Sequence, residues 1–327
     1  MRLKIISLLL LCLIASITSF AQKQNVYFLK NNGTYVDSKD SADYIRIISE
    51  PDSGTVLYNL REFYKSGKPK MIGKTSRIDP PTFAGPYVGY FPSGRRKELA
   101  TYKIGGEKVG DDFLYYPNGK IYLAVKYIDR KNNDADDFTN YTIMACNDST
   151  GKPQVVDGNG YYTGFDDNFK YIAEEGNVKA GLRDGNWKGQ EIYKTAKLTF
   201  AEKYDNGKLL TGTTTDSAGH QYTYTRQYVR PQYAHGEEAL YDYLGNNIKY
   251  PEQDRRNNIQ GKVILSFVVE KDGSITDIKV LKTPSEDLAQ EAVRVVKKMP
   301  RWKPGMQHGR VVRVGYTLPV NFALGDQ

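Results

Sequence analysis

The chain has 327 residues, which is enough for two domains of ordinary size. Charged residues make up 26% and aromatic residues 12%, and this composition excludes a wholly disordered chain. The formal net charge is +8, but the sequence has no Lys/Arg run of the nucleic-acid-binding type. The basic excess therefore predicts an ordinary soluble surface or attraction to anionic surfaces.

Residues 1–21 form a predicted targeting segment. Arg2 and Lys4 precede an apolar run from Ile5 to Ile17, and Ser19-Phe20-Ala21 is a small-x-small sequence typical of a cleavage site. The run is short for a membrane span, which needs ~20 apolar residues. We therefore expect a signal peptide that is cleaved after Ala21. Cys146 is then the single cysteine of the exported chain, so no intramolecular disulfide can form and a small buried residue is expected there.

Residues 22–228 carry a repeated turn motif. Each copy has an aromatic residue, a Gly that follows Ser or Asn (in the first two copies Ser, in the last two Asn), and a basic residue directly after the Gly. The copies are residues 64–68, 91–95, 116–120 and 204–208, and Gly67, Gly94 and Gly119 are 27 and then 25 residues apart. Such turns are typical of β-hairpins that pack against their neighbours. We expect a mainly β region of antiparallel hairpin repeats, and residues 109–120 and 184–187 resemble MORN-type repeats.

The motif fades between its third and fourth copies. Residues 129–137 (DRKNNDADD) are predicted to form a polar loop. Their carboxylates, and those of Asp157-Gly158-Asn159-Gly160, lack the residue order of a calcium-binding loop. We therefore predict no metal site. Pro231 and Gly236 bracket a predicted linker over residues 229–236.

Residues 237–327 are predicted to form an α+β domain. A helix over 237–244 leads to a strand over 261–270, whose apolar residues Val263, Leu265, Phe267 and Val269 alternate with other residues. A turn at 271–274 and a strand over 275–282 follow. Ser285 is a suitable N-cap for a helix with apolar residues at helical spacing from Leu288 to Met299, which Pro300 ends. A last strand over 311–322 completes a ββαβ unit, with Trp302 expected in its core.

This unit resembles the C-terminal domain of the TonB family of energy transducers of the cell envelope. The resemblance rests on the order of Tyr250-Pro251, Gly261, Asp272-Gly273, Trp302-Lys303-Pro304-Gly305 and Phe322, and it covers about a quarter of the chain. It implies a periplasmic location. In the family an N-terminal helix anchors the protein in the inner membrane, so the alternative for residues 1–21 is an uncleaved anchor. The long Pro-rich linker of the family is missing before this domain.

The resemblance also implies a partner and a site. The family binds outer-membrane, TonB-dependent transporters through a short peptide, the TonB box, and inner-membrane motor proteins are further expected partners. The last strand is expected at a sheet edge, which Pro319 favours because proline donates no hydrogen bond to a ladder. An extended peptide can add to such an edge as a further strand. The implied contacts are the segment Asn247, Ile248, Lys249, Tyr250 and Pro251 and the backbone of Val311, Val312, Arg313, Val314, Gly315, Tyr316, Thr317 and Leu318.

Signatures of catalysis are missing from the sequence. The three histidines, His220, His235 and His308, lie in no HExxH motif, and the sequence has no G-x-S-x-G elbow and no Walker A loop. We therefore expect no catalytic residues, no cofactor and no enzyme. Two functions remain open: a TonB-like energy transducer or adaptor, and a non-energised envelope scaffold that binds its partner through the hairpin repeats.

Overall fold

The computed structural model describes residues 23–128, 140–193 and 196–324. The predicted signal peptide and the predicted loop at 129–137 lie outside the described residues. The chain divides into two compact units: unit 1 takes its described residues from 1–131, 140–162 and 180–182, and unit 2 takes them from 163–179 and 183–327. The boundaries predicted from the sequence, 22–228, 229–236 and 237–327, stay a prediction.

The described part of the chain is mostly β-strand, with three helices near its C-terminal end. The strands are β1 (Gln24–Leu29), β2 (Tyr35–Val36), β3 (Tyr44–Ser49), β4 (Tyr58–Tyr64), β5 (Pro69–Thr75), β6 (Phe83–Tyr90), β7 (Arg96–Tyr102), β8 (Gly110–Tyr115), β9 (Ile121–Tyr127), β10 (Tyr141–Asn147), β11 (Pro153–Val156), β12 (Asn159–Phe165), β13 (Ile172–Lys179), β14 (Leu182–Tyr193), β15 (Ala196–Asp205), β16 (Lys208–Thr215), β17 (Gln221–Tyr224), β18 (Tyr228–Val229), β19 (Gly261–Val269), β20 (Ile275–Lys282), β21 (Gly305–Gln307), β22 (Arg310–Val312) and β23 (Val314–Phe322). The helices are α1 (Glu237–Asn247), α2 (Glu252–Arg256) and α3 (Glu286–Lys297).

Unit 1 is an antiparallel meander, as predicted. Strand β1 pairs with β2 and β3, and from β3 to β11 each strand pairs with the next one along the chain. Ile48, Leu60 and Met71 are buried in an apolar cluster against the rings of Tyr58 and Phe83. Cys146 is fully buried, as the sequence predicts. The hairpins of this region therefore bury one face and leave the other wet.

The repeated turn motif forms the tips of successive hairpins, and each tip contacts the next one. Gly67, Gly94 and Gly119 have φ of 82°, 92° and 89°, which glycine adopts without steric cost. The basic residue after each glycine reaches the next turn of the series: Lys68 Nζ donates to the Ser93 carbonyl at 3.1 Å, Arg95 Nη1 donates to the Pro117 carbonyl at 3.3 Å, and Lys120 Nζ donates to the Thr150 carbonyl. The basic position of the motif thus satisfies a turn carbonyl of its neighbour.

Asp148 begins a further turn of this series, which the sequence analysis did not identify. Its Oδ1 accepts hydrogen bonds from the backbone N–H groups of Thr150 and Lys152, both at 2.9 Å, and Gly151 has φ of 91°. These bonds hold the pKa of the Asp148 carboxyl below its usual value, the hydroxyl of Thr150 contributing most. The turn was missed because an aspartate replaces the aromatic residue of the motif. The hairpins therefore continue where the sequence motif fades.

The C-terminal part of unit 2 is the predicted ββαβ unit. Its sheet has the order β20-β19-β23, and α3 lies against β19 and β20. Ser285 caps α3 by accepting a hydrogen bond from the Leu288 N–H at 3.1 Å, as predicted. The core combines the inward faces of β19, β23, α1 and α3 around Trp302, which is buried as expected. Helix α1 ends at Asn247, three residues later than the sequence predicted.

The predicted last strand over 311–322 is wrong as one continuous element. Residues 310–312 form β22, which pairs with β21, and β21 in turn pairs with β18 in a separate sheet. The chain leaves strand geometry at Arg313 and continues as β23 beside β19. His308 and Gly309, with φ of 48° and 75°, form the two-residue turn between β21 and β22. The alternation of apolar residues runs through the break, so periodicity alone could not locate it.

Candidate functional site

Strand β23 lies at an edge of the C-terminal sheet, as the sequence predicts. All nine residues of the strand are paired in register with residues of β19, from Val314 opposite Val269 to Phe322 opposite Gly261. Within the described residues, no strand pairs with the other side of β23, and β20 forms the opposite edge of the sheet. A free edge of this length presents backbone N–H and C=O groups that an added strand can bind.

The side chains of β23 alternate in the predicted way. Leu318, Val320 and Phe322 are buried, while Gly315, Thr317, Pro319 and Asn321 are exposed. The ring of Tyr316 stacks on Phe267 at 5.5 Å between ring centroids and meets Trp302 edge-on at 4.8 Å. Burial, helped by Glu237 and Tyr241, raises the pKa of Tyr316. The buried side chains therefore fix the strand in place, and only the exposed side chains are available to a partner.

Pro319 lies opposite Ile264 in the β19–β23 ladder. A proline has no N–H, so it is best tolerated where that group would point away from the partner strand. The N–H and C=O of each strand residue point to the same side, and the side alternates along the strand. Gly315, Thr317 and Asn321 then direct their backbone N–H and C=O groups away from β19, toward the free edge. Pro319 directs only its carbonyl there. The space beside the Gly315 Cα is open.

The start of β23 is fixed by an ionic network on the outer face of the sheet. Arg313 Nη2 lies 2.9 Å from Glu270 Oε1 and 3.2 Å from Asp277 Oδ2, so it connects the end of β19 to β20. Hydrogen bonds from Thr276 and Arg313 hold the pKa of Glu270 below its usual value. The side chain of Arg313 is thus engaged within the chain and positions the strand, whereas the partner contact that the family resemblance implies for this residue is through its backbone and stays a prediction.

The segment before α2, residues 247–251, is held against α3. Glu291 Oε1 accepts a hydrogen bond from the Lys249 N–H at 2.5 Å, and Arg294 Nη2 donates to the Asn247 carbonyl at 2.8 Å. The bond from Arg294, followed by the N–H of Lys249, holds the pKa of Glu291 below its usual value. Glu291 and Arg294 were missed by the sequence analysis because a carboxylate and a guanidinium on a polar helix face look like ordinary solvated residues.

A groove of 540 Å³ lies between this segment and α3. Its walls include Tyr250 and Pro251 on one side and Asp287, Gln290 and Arg294 on the other. The hydroxyl of Tyr250 donates to the Ile259 carbonyl at 2.5 Å. The groove therefore has polar helix side chains along one wall, and on the other a tyrosine that a hydrogen bond holds in place.

A ring contact joins the segment 247–251 to β23, at a residue beyond the predicted contacts of that strand. The ring of Tyr250 meets Phe322 edge-on at 5.8 Å between centroids, at the C-terminal end of β23. Gly315 lies at the other end of the strand, about 23 Å away at 3.3 Å per residue. Val311 and Val312 belong to β22 in the other sheet. The predicted contacts therefore form an edge, a groove at one end of it and a separate short strand.

No described helix is long and apolar enough to cross a membrane. Within the same residues, no group of three or more His, Cys, Asp or Glu side chains is placed to hold a metal ion. The turn at Asp157-Gly158, which the sequence analysis considered as a metal loop, is a two-residue connection between β11 and β12.

Comparisons with known proteins agree on the C-terminal part of the chain. Residues 246–324 match the family model described as Gram-negative bacterial TonB protein C-terminal. Over 49 residues, 15% of this chain, the sequence is 41% identical to the TonB proteins of two strains of Helicobacter pylori. The matched segment spans only 18% and 17% of the length of these two relatives.

Two solved structures are also similar to this part of the chain. Both are NMR solution structures of the H. pylori TonB C-terminal domain, and both are 24% identical to this chain in sequence. The first covers 28% of this chain and 95% of the solved one with a TM-score of 0.23, and the second covers 27% and 79% with a TM-score of 0.22. By the family match and the sequence identity, residues 246–324 form a C-terminal domain of the TonB family.

Proposed function

We propose that this chain is a TonB-like transducer or adaptor of the cell envelope, which binds outer-membrane, TonB-dependent transporters by strand addition to β23. The observation that carries the proposal is the outer edge of β23, which no described strand covers. The role is non-enzymatic: the chain binds a segment of the transporter and releases it. Transmission of a pulling force would further require an anchor upstream of the domain and a motor protein in the inner membrane.

The backbone of the edge sets the expected affinity. Gly315, Thr317 and Asn321 offer an N–H and a carbonyl each, and Pro319 offers a carbonyl. Each backbone hydrogen bond contributes a net ~0.5–1.5 kcal/mol, and ordering the peptide and the loss of its free motion oppose binding. The sum predicts a modest affinity that allows release. The groove beside Tyr250 lies at the Phe322 end of the edge, where the peptide would leave the ladder.

A pair of substitutions at one position tests recognition through the backbone. Thr317→Pro removes one outward N–H from the middle of the edge, and we expect the Kd for a TonB-box peptide to rise about tenfold or more because the bond and its neighbours are lost. Thr317→Ala keeps the N–H and removes only an exposed side chain, so it is the matched control. Fluorescence anisotropy of a labelled peptide measures both, and circular dichroism checks the fold.

Equal affinities for the Thr317→Pro and Thr317→Ala variants would contradict strand addition at this edge. A Thr317→Ala variant that binds as weakly as Thr317→Pro would indicate that the side chain, and not the backbone, is recognised.

A second candidate function, an envelope scaffold that binds through its hairpins, is favoured by a cavity in unit 1. The cavity of 330 Å³ is lined by Tyr44, Arg46, Glu62, Lys70 and Tyr87 among others. Arg46 and Lys70 both contact the carboxylate of Glu62, at 2.7 and 2.5 Å. Two cations on one carboxylate leave a local positive charge among tyrosine rings. An anionic ligand bound there, with no peptide bound at β23, would favour this function.

A further inference from the structure

A second cavity lies within unit 2, where the tip of the β21–β22 hairpin meets strands β13, β14 and β15. Its volume is 320 Å³, at the lower end of the range of about 300–1,000 Å³ that is usual for small-molecule sites. Glu174, Glu191, Phe200 and His308 are among the residues that line it. The cavity is distinct from the edge of β23 and from the groove beside Tyr250.

One wall of the cavity is aromatic and rigid. The ring of Phe200 lies directly on the backbone of Gly189, since a Cβ built on this glycine would be 2.3 Å from the ring. The imidazole of His308 stacks on Phe200 at 5.7 Å between centroids with 25° between the planes. The N–H of His308 donates to the Gln227 carbonyl at 2.6 Å, which holds the hairpin tip in place. A ligand would therefore meet a preformed wall.

The charge around the cavity is negative. Glu174 and Glu191 line it, and Glu202 is buried behind it, where the hydroxyls of Tyr204 and Tyr224 donate to it at 2.8 and 2.7 Å. Arg183 is the one guanidinium in the described lining of this cavity, and it already contacts Glu174 at 2.6 Å. Glu191 Oε1 lies 3.5 Å from Nδ1 of His308. Three carboxylates thus outnumber one guanidinium and one imidazole that carries at most one charge.

Carboxylate and amide oxygens in the lining can accept hydrogen bonds from a ligand. Gln190 Nε2 donates to the Ile172 carbonyl at 3.0 Å, and Gln227 Nε2 donates to Glu202 Oε1 at 2.9 Å. Each amide therefore donates at least one N–H within the protein, and its carbonyl oxygen can accept from a ligand. Together with Glu174 and Glu191, these oxygens suit a ligand that carries several N–H donors.

We propose that this cavity binds a small organic cation, a primary ammonium or guanidinium on a short carbon stem. The charged head would lie between Glu191 and Glu174, and the stem would lie along Phe200. Because the hairpin tip that carries His308 belongs to the TonB-family domain and Glu174 and Glu191 belong to the preceding strands, the ligand would join the two parts of unit 2.

Isothermal titration calorimetry of the full chain with agmatine, a guanidinium and an ammonium on a butyl stem, tests the proposal. We expect saturable binding of one agmatine per chain at micromolar to millimolar concentration. Glu191→Gln should raise the Kd about tenfold or more, because a charge-assisted hydrogen bond is replaced by a neutral one. Glu175→Gln is the matched control: Glu175 is on the same strand as Glu174, pairs with Lys188 at 3.0 Å and lines no part of the cavity. Its Kd should equal that of the unmodified chain.

A second variant keeps the test independent of charge. Ala173→Leu places a larger side chain in the cavity and should abolish agmatine binding, and an unchanged melting temperature would show that the fold is retained. Absence of saturable heat with the unmodified chain, or equal binding by the unmodified chain, Glu191→Gln and Ala173→Leu, would overturn the proposal. Binding weakened equally by Glu175→Gln and Glu191→Gln would overturn it too, since it would reflect general attraction to a negative surface.

Discussion

Tyrosine hydroxyls connect successive hairpin turns. The hydroxyl of Tyr64 donates to the Tyr90 carbonyl at 2.7 Å, and that of Tyr116 donates to the Asn147 carbonyl at 2.9 Å. Each acceptor is the residue directly before the next turn of the series. A tyrosine at the first position of the turn motif therefore contributes a hydrogen bond as well as a ring. Phe91, which has no hydroxyl, occupies the same position in the copy between them.

Removal of one such hydroxyl should cost a measurable amount of stability. Tyr116→Phe leaves the buried ring in place and removes the hydroxyl's hydrogen bond to the Asn147 carbonyl, so we expect the free energy of unfolding to fall by about 1 kcal/mol. Urea denaturation measures it. Tyr115→Phe is the control, because the neighbouring residue is only half-buried and its hydroxyl makes no hydrogen bond within the described structure. A loss as large for Tyr115→Phe would contradict the role given to Tyr116.

Glu291 gives a prediction that depends on pH. Its pKa in the folded chain is below the ordinary 4.5, because Arg294 and then the N–H of Lys249 stabilise the carboxylate. The stability that this group contributes is therefore fully present above the ordinary pKa and is lost as the pH falls through the depressed one. Glu291→Gln should lower the free energy of unfolding by about 1 kcal/mol at pH 7, and the difference from the unmodified chain should shrink below about pH 4.

Urea denaturation at the two pH values measures this difference. Glu286→Gln, at an exposed carboxylate on the same helix, is the matched control and should have the smaller effect at pH 7. A Glu291→Gln effect that stays the same or grows on acidification would contradict the assignment.

The turn between β19 and β20 packs against the backbone of Trp302, whose side chain lies in the core of the domain. Gly273, with φ of 82°, has its carbonyl 2.8 Å from the Trp302 N–H, and a Cβ built on it would be 2.1 Å from the Trp302 carbonyl oxygen. Gly273→Ala should therefore destabilise the chain by more than the roughly 1 kcal/mol that an alanine at positive φ costs. Gly219→Ala, at φ of 87° with no atom within 4 Å of the built Cβ, measures that conformational cost alone. Equal losses in the two variants would contradict the packing role.

The elements of the C-terminal domain could be predicted from the sequence where one pattern dominates. Strands β19 and β20, the Ser285 cap and helix α3 follow from alternation, a turn glycine and helical spacing. The break at Arg313 could not be predicted, because Val312 and Val314 keep the alternation on both sides of it. What separates β22 from β23 is the pairing with β21, which is a contact between segments and leaves no local signal. The contacts of the Arg313 side chain to Glu270 and Asp277 join distant segments in the same way, and no local pattern marks them.

At the scale of the whole molecule, unit 2 contains both hairpin strands and the TonB-family domain. Strand β18 pairs with β21, and the Gln232 N–H donates to the Lys303 carbonyl at 3.0 Å. The chain therefore enters the domain through paired backbone, where the family has a long Pro-rich linker by the resemblance described above. Of the candidate site, the edge position of β23 is implied by the family resemblance and favoured by Pro319, whereas the groove against α3 and the cavity beside His308 depend on contacts between distant segments.

Hydrogen exchange of the full chain, measured by mass spectrometry with and without a TonB-box peptide from a transporter of the same organism, tests the proposed binding mode most directly. Strand addition predicts slower exchange in residues 314–322, because the outward N–H groups of Gly315, Thr317 and Asn321 would gain acceptors, with little change in β20 at the opposite edge. Binding that protects β20, β22 or the hairpins of unit 1 and leaves 314–322 unchanged would contradict the account.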